Sequence, residues 1–137
     1  MKRKASAIIF YDNYGNILIQ NRKKMSKWGE EYGFFGGKIE EHETPSDALK
    51  REIKEELGIE ITDFQIFKHH YYSIKEADLD VEVFCFIANM PQLNLLNVQE
   101  GELAKMKYSD SLHLKLLDGD KELLKEFGSY LEQNRII

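Results

Sequence analysis

Three glutamates, Glu52, Glu55 and Glu56, fall within five residues of one another, with Arg51 directly before them and Glu43 eight residues upstream of that arginine. On a helix turning about 100° per residue with Leu49 at zero, Ile53 and Leu57 lie at roughly 40° and 80°, and Glu55, Glu52 and Glu56 at roughly 240°, 300° and 340°. One face is oily and the next is a stripe of carboxylates. Arg51 sits beside the stripe, one turn before Glu55, where it can pair with it. Like charges three and four residues apart cost a helix about 0.2–0.5 kcal/mol per pair, so the cluster suggests a bound cation. With only oxygen donors and neither Cys nor His in the segment, Mg²⁺ or Mn²⁺ is the cation of choice. Mg²⁺ keeps waters and combines one or two carboxylates with substrate phosphates. Such a site suits hydrolysis of a phosphate ester or pyrophosphate. The competing readings of the same stripe are a solvated acidic face and a protein-interaction surface.

The acids need a helix, and Thr44-Pro45-Ser46-Asp47 starts one. Thr44 caps the first free amides, Pro45 suits the first helical position, and Asp47 is favourable in the first turn. Gly58 terminates it by taking up the left-handed conformation. The spacing predicts a helix over Pro45 to Leu57. Upstream, Ala5 to Tyr11 and Ile17 to Gln20 read as strands joined by the turn residues 12–16. A polar loop over 21–31 leads to the aromatic stretch Tyr32-Gly33-Phe34-Phe35, a brief strand expected to end in a tight turn at Gly36-Gly37. Downstream, strands are expected within Ile59 to Ser73, from Leu79 to Ile87, and from Leu103 to Tyr108, with a polar loop over 89–101 and a short helical piece over Ser109 to Leu117. Leu123, Leu124, Phe127, Tyr130 and Leu131 recur at helical spacing, so Lys121 to Gln133 is an amphipathic helix that packs on the sheet.

The 137 residues suit one domain spanning 1–137, and 42% hydrophobic content with few Gly and Pro excludes disorder and low-complexity linkers. The lone Cys85 excludes an internal disulfide and multi-cysteine metal sites, and belongs in the sheet. Met1 to Lys4 begins like a signal peptide, but the apolar stretch Ala5 to Phe10 is too short to continue one, and no run is long enough to span a bilayer. A soluble, cytoplasmic protein is expected. The net charge is −5; residues 1–27 carry seven Lys/Arg against Asp12 alone, net +6, leaving −11 for the rest. An acidic chain is ill suited to long nucleic acid, whereas a small anionic ligand could meet the basic end.

From Gly37 onward the chain reads glycine, five residues, Glu43, seven residues, Arg51-Glu52-Ile53, one residue, Glu55-Glu56, one residue, Gly58-Ile59. This resembles the signature of the Nudix hydrolases at every defined position, and the order of elements suits that family's fold, an α/β/α sandwich around a mixed β-sheet. The resemblance implies that Glu52, Glu55 and Glu56 hold divalent metal together with the backbone carbonyl of Gly36, that Arg51 orients a glutamate, and that Glu43 fixes the loop before the helix. It implies a nucleoside diphosphate derivative as substrate, cleaved by water at phosphorus, with Glu52 as the first choice of base and Glu100 or Glu102 as a later acid that serves as base or completes the metal shell. Tyr32, Phe35, Gly36, Gly37 and Lys38 match a pattern in the MutT-type branch that resembles the oxidised purine nucleoside triphosphatases, although Phe35 replaces a frequent proline and Gly33 stands where the animal enzymes have a base-contacting asparagine. No signature of an NADH, ADP-ribose or dinucleoside polyphosphate enzyme follows. The alternative within the fold is a nucleotide sensor that does no chemistry.

Among the remaining residues, Lys38 beside the glycines is the preferred phosphate contact, while Arg22, Lys23, Lys24 and Lys27 read as a solvated basic loop. One or two of Trp28, Tyr32, Phe34 and Phe35 are expected to touch ligand. His69 and His70 point to opposite faces of a strand, so they do not share a metal, whereas His70 or Tyr72 can line the substrate pocket. Monomer and homodimer both remain open.

Overall fold

In the computed structural model, which describes residues 1–137, seven strands form one sheet. They are β1 (Lys2–Tyr11), β2 (Asn16–Asn21), β3 (Tyr32–Gly33), β4 (Phe35–Lys38), β5 (Gln65–Ile74), β6 (Leu79–Asn89) and β7 (Glu102–Lys107). The helices are α1 (Pro45–Leu57), α2 (Tyr108–Ser111) and α3 (Asp118–Gln133). The long strand β1 is the spine. One edge pairs in parallel with β6 along its length, and the other is shared antiparallel by β4 at Ala5 to Ile8 and β2 at Phe10 and Tyr11. The parallel pair among antiparallel ones makes the sheet mixed, as expected.

Side chains alternate across β1, and the two helices take opposite faces. Ile8 and Phe10 join Leu18, Phe35 and Phe86 beneath Leu49, Ile53 and Leu57 of α1. Ile9, with Ile17, Ile19, Val83 and Cys85, packs beneath Leu123, Leu124, Phe127 and Leu131 of α3. This is the α/β/α sandwich. Helix α1 has the ends its sequence specifies: Thr44 Oγ1 accepts from Asp47 N at 3.1 Å, and Gly58, at φ 70°, donates to Lys54 O. Ser6 Oγ of β1 donates to Pro45 O at 2.7 Å, tying the start of α1 to the spine.

Three expectations are corrected. Gly36 and Gly37 do not turn; they run inside β4, paired with Ala7 and Ser6. They are glycines because a Cβ on Gly36 would overlap the Ser6 carbonyl and one on Gly37 the Glu52 carboxyl. The third helix begins at Asp118 rather than Lys121, with Gly119 in its first turn because the Tyr72 ring occupies the space of a Cβ there. The short helical piece is confined to Tyr108–Ser111. No helix is long and apolar enough to cross a membrane.

Candidate active site

The glycine pair lets β4 pass directly under α1, and that contact builds the site. Gly37 touches the Glu52 carboxyl, and Gly36 N donates to Glu56 Oε1 at 3.0 Å. Arg51 organises the side facing the loop before the helix. Its Nε donates to Glu43 Oε2 at 2.7 Å and its Nη2 to Glu43 Oε1 at 2.8 Å, while Nη2 also reaches Lys38 O at 2.9 Å. Nη1 donates to Glu52 Oε1 at 2.9 Å and stands 3.6 Å from Glu55 Oε2. The expected pairing with Glu55 is therefore present but is the loosest of Arg51's contacts. Glu43 also accepts from Glu40 N. These bonds, those from Arg51 above all, hold the Glu43 carboxyl down at about 2.

The acids of α1 differ in exposure. Glu55 is open to solvent, Glu52 is mostly covered, and Glu56 is 4% exposed. Burial pushes Glu56 up to about 8 against the bond from Gly36, and the like charges of Glu52 and Glu100 push the same way. Burial also raises Glu52, opposed by Arg51 and helped by Glu55 and Glu100. Of the two later acids, Glu100 is the one whose charge acts on Glu52 and Glu56. Glu102, at the start of β7, lies 3.8 Å from Lys24 Nζ with its side chain 63% exposed, and stands outside the cluster. The Lys38 ammonium contacts none of the acids; its carbonyl is what joins the site.

No three Asp, Glu, His or Cys side chains converge closely enough to enclose an ion by themselves. The donors nevertheless fit Mg²⁺ or Mn²⁺. They are hard oxygens, one is buried with like charges against it, and Mg²⁺ needs only one or two protein carboxylates beside water and phosphate.

A cleft of about 270 Å³ opens between the 22–31 loop, the end of β5 and the start of α3, and none of the acids of α1 lines it. Trp28, Tyr72 and Leu117 line it, and Lys75, Lys115 and Lys121 share the lining with Glu30, Glu76 and Asp118. Of the four candidate aromatics only Trp28 reaches the cleft. Phe34 and Phe35 are core, and Tyr32 sits under Lys23 Nζ, 5.5 Å from its ring centre. His69 and His70 go separate ways, to Glu82 at 2.7 Å and Glu122 at 2.8 Å.

Two features escaped the sequence reading. Arg22 is no solvated loop cation. Its Nε donates to the buried Glu30 at 3.0 Å and its Nη1 to Gln20 at 2.7 Å. Asp120 of α3 looks toward Gly33, and burial pushes it up to about 7, with Arg22 lowering it. Arg22 thus acts on Asp120 and Glu56 alike. No periodicity marks a bond between a strand end and a loop. Asp120 lies ahead of Lys121, where the helix was expected to begin, and in the first turn of the helix observed.

A family model described as the NUDIX domain matches residues 1–127. The 8-oxo-dGTP diphosphatase of Proteus vulgaris is 41% identical over 61 residues, 44% of this chain and 54% of that protein. The CTP pyrophosphohydrolase of Escherichia coli is 46% identical over 57 residues, 42% of this chain and 41% of that protein. The chain thus spans about half the length of the curated relatives it matches. The solution structure of the E. coli ORF135 protein superposes with a TM-score of 0.76 at 27% identity, covering 98% of this chain and 93% of that one.

Proposed function

The chain belongs to the Nudix family, and we propose that it is a divalent-metal-dependent pyrophosphohydrolase cleaving a nucleoside triphosphate or related nucleoside diphosphate derivative, oxidised or non-standard nucleotides included, by water attack at phosphorus. The observation that carries this is Glu56: a carboxyl bonded to the backbone of β4 is kept from ionising by burial and by the charges of Glu52 and Glu100, and a divalent cation is the partner that would let it give up its proton. Glu52, Glu55 and Glu56 would hold Mg²⁺, or Mn²⁺ in its place, with the Gly36 carbonyl and Glu100 rather than Glu102 completing the set. Bound there, the ion neutralises phosphate oxygens and lowers the pKa of water.

The chain's own residues do the rest. Glu52, raised by burial, takes the proton from the attacking water, and a raised carboxylate is the better base. Arg51 holds Glu52 in place and Glu43 holds Arg51. Trp28 and Tyr72 offer aromatic surface to the nucleoside. Relatives named for an oxidised guanine nucleotide and for CTP support the nucleotide class and leave the base open.

The test is a panel of nucleotides including 8-oxo-dGTP and CTP, incubated with and without Mg²⁺ and scored for monophosphate and pyrophosphate. Hydrolysis that chelation abolishes is expected. Turnover surviving both chelation and Glu56→Gln would overturn the metal reading, and binding without turnover of any member would make the chain a nucleotide sensor.

A further inference from the structure

We infer that Gln20 is a positioning residue: together with Arg22 and Glu30 it forms a buried hydrogen-bond chain that holds Glu100 opposite the acids of α1. The inference rests on the hydrolase reading above.

Gln20 is fully buried within the sheet, on β2 between β3 and β7. A buried amide costs stability unless both its ends are bonded, and an aliphatic side chain would fill such a place without that cost. Here both ends are bonded. Gln20 Oε1 accepts from Arg22 Nη1 at 2.7 Å, and Gln20 Nε2 donates to the backbone carbonyl of Glu100 at 3.0 Å. Arg22 in turn donates through Nε to Glu30 at 3.0 Å. Glu30, 4% exposed, is anchored by Ser26 Oγ and by the backbone amides of Lys27 and Trp28, at 2.9, 3.1 and 2.9 Å. The chain therefore starts from a loop gathered around the Glu30 carboxylate and ends on the peptide of one acidic residue.

That residue sits in a loop clamped on its other side by α1. Asn97 N and Gln99 N donate to Leu57 O and Glu56 O at 2.9 and 2.8 Å, using carbonyls that the end of the helix leaves free. Just beyond, Gly101 at φ +67° lies so close to β2 that a Cβ would come within 2.6 Å of Asn21 O. Glu100 is thus held between α1 and Gln20. Its exposed side chain makes no hydrogen bond or ion pair of its own, and its charge acts on both Glu52 and Glu56. Without the bond from Gln20 the peptide of Glu100 loses its side-chain hydrogen bond to β2, and the segment that carries the carboxylate is held only by α1 and by the pairing of Glu102 with Asn21.

The test is a double-mutant cycle of Gln20→Met and Glu100→Gln, read by direct Mn²⁺ titration of the nucleotide-free protein and by the Mg²⁺ dependence of hydrolysis. Glu100→Gln is expected to weaken divalent binding by at least about tenfold, and Gln20→Met by about tenfold, the size usual for a residue behind a metal ligand. The double variant should bind as Glu100→Gln does, because a residue acting through Glu100 has nothing left to act on. Gln20→Glu keeps the partner of Arg22 but cannot donate to the Glu100 carbonyl; it should show the same weakening and serves in place of Gln20→Met if that variant fails to fold. Additive losses, or wild-type Mn²⁺ affinity in Gln20→Glu or Glu100→Gln, would overturn the inference while leaving the hydrolase reading intact. A wild-type protein that binds no divalent ion would instead remove that reading, and this inference with it.

Discussion

Arg51 grips Glu43 with two of its nitrogens, Nε at 2.7 Å and Nη2 at 2.8 Å, and so fastens the loop ahead of α1 to the second turn of the helix. The Glu43 carboxyl is held at about 2, below its ordinary value of 4.5. A lowered carboxylate contributes stability that is fully present above the ordinary value and is lost as pH falls through the lowered one. Glu43→Gln should therefore melt below the wild type by a constant margin at neutral pH, and the margin should close between pH 4.5 and about 2. Melting curves of both proteins across that range check it, and a margin unchanged at pH 2 would contradict the pairing.

Glu56 carries the opposite sign. Its folded value of about 8 is above the ordinary 4.5, so between those values the folded protein holds a proton that the unfolded chain has released. Stability of the metal-free protein should fall as pH rises across that window and level off above it. Glu56→Gln removes the titrating group and keeps an oxygen for Gly36 N. In chelator at pH 9 it should be more stable than the wild type by about 1–3 kcal/mol, the order of a buried unpaired charge after relaxation. With Mg²⁺ the order should reverse, because only the wild type gains a ligand, and hydrolysis should drop by about a hundredfold. Thermal melts at pH 5 and 9 with and without metal read all of this, and a destabilised metal-free variant at pH 9 would refute it.

What was legible in the sequence was local or periodic. The ends of α1 follow from Thr44, Pro45 and Gly58, whose bonds span three or four residues, and its two faces follow from helical spacing alone. The acids and Arg51 could be placed on one face, but not ranked, because the ranking comes from burial. Glu56 is covered by the underside of β4 and Glu55 is open. Glycine composition misled at Gly36-Gly37, where the missing side chains make room for the Ser6 carbonyl and for Glu52, because a sequence marks a turn and a close approach with the same letter. The choice of Glu100 over Glu102, and the bonds from Glu30 through Arg22 to Gln20, depend on which loops the fold brings together, which no spacing encodes.

The two adjacent glycines of β4 should fail in different ways when given a methyl group. At Gly36 the added Cβ meets backbone, the Ser6 carbonyl and Ala7 Cα, and φ is +141°, a region side chains avoid. Neither neighbour can step aside without separating β4 from β1, so Gly36→Ala should cost about 3 kcal/mol or more, or abolish folding. At Gly37 the Cβ meets only the carboxyl end of Glu52, a side chain that can swing away if it gives up Arg51. Gly37→Ala should therefore lose about 1 kcal/mol or less in stability, as an overpacked site with a flexible neighbour does. Its kcat should fall by about a hundredfold as the proposed base moves, the penalty that a misplacement near 1 Å imposes, while the KM for nucleotide stays near that of the wild type because Trp28 and Tyr72 are untouched. Denaturant unfolding and steady-state kinetics of the two variants separate the cases. A Gly37→Ala enzyme with full kcat would show that the position of the Glu52 carboxyl does not govern the chemistry.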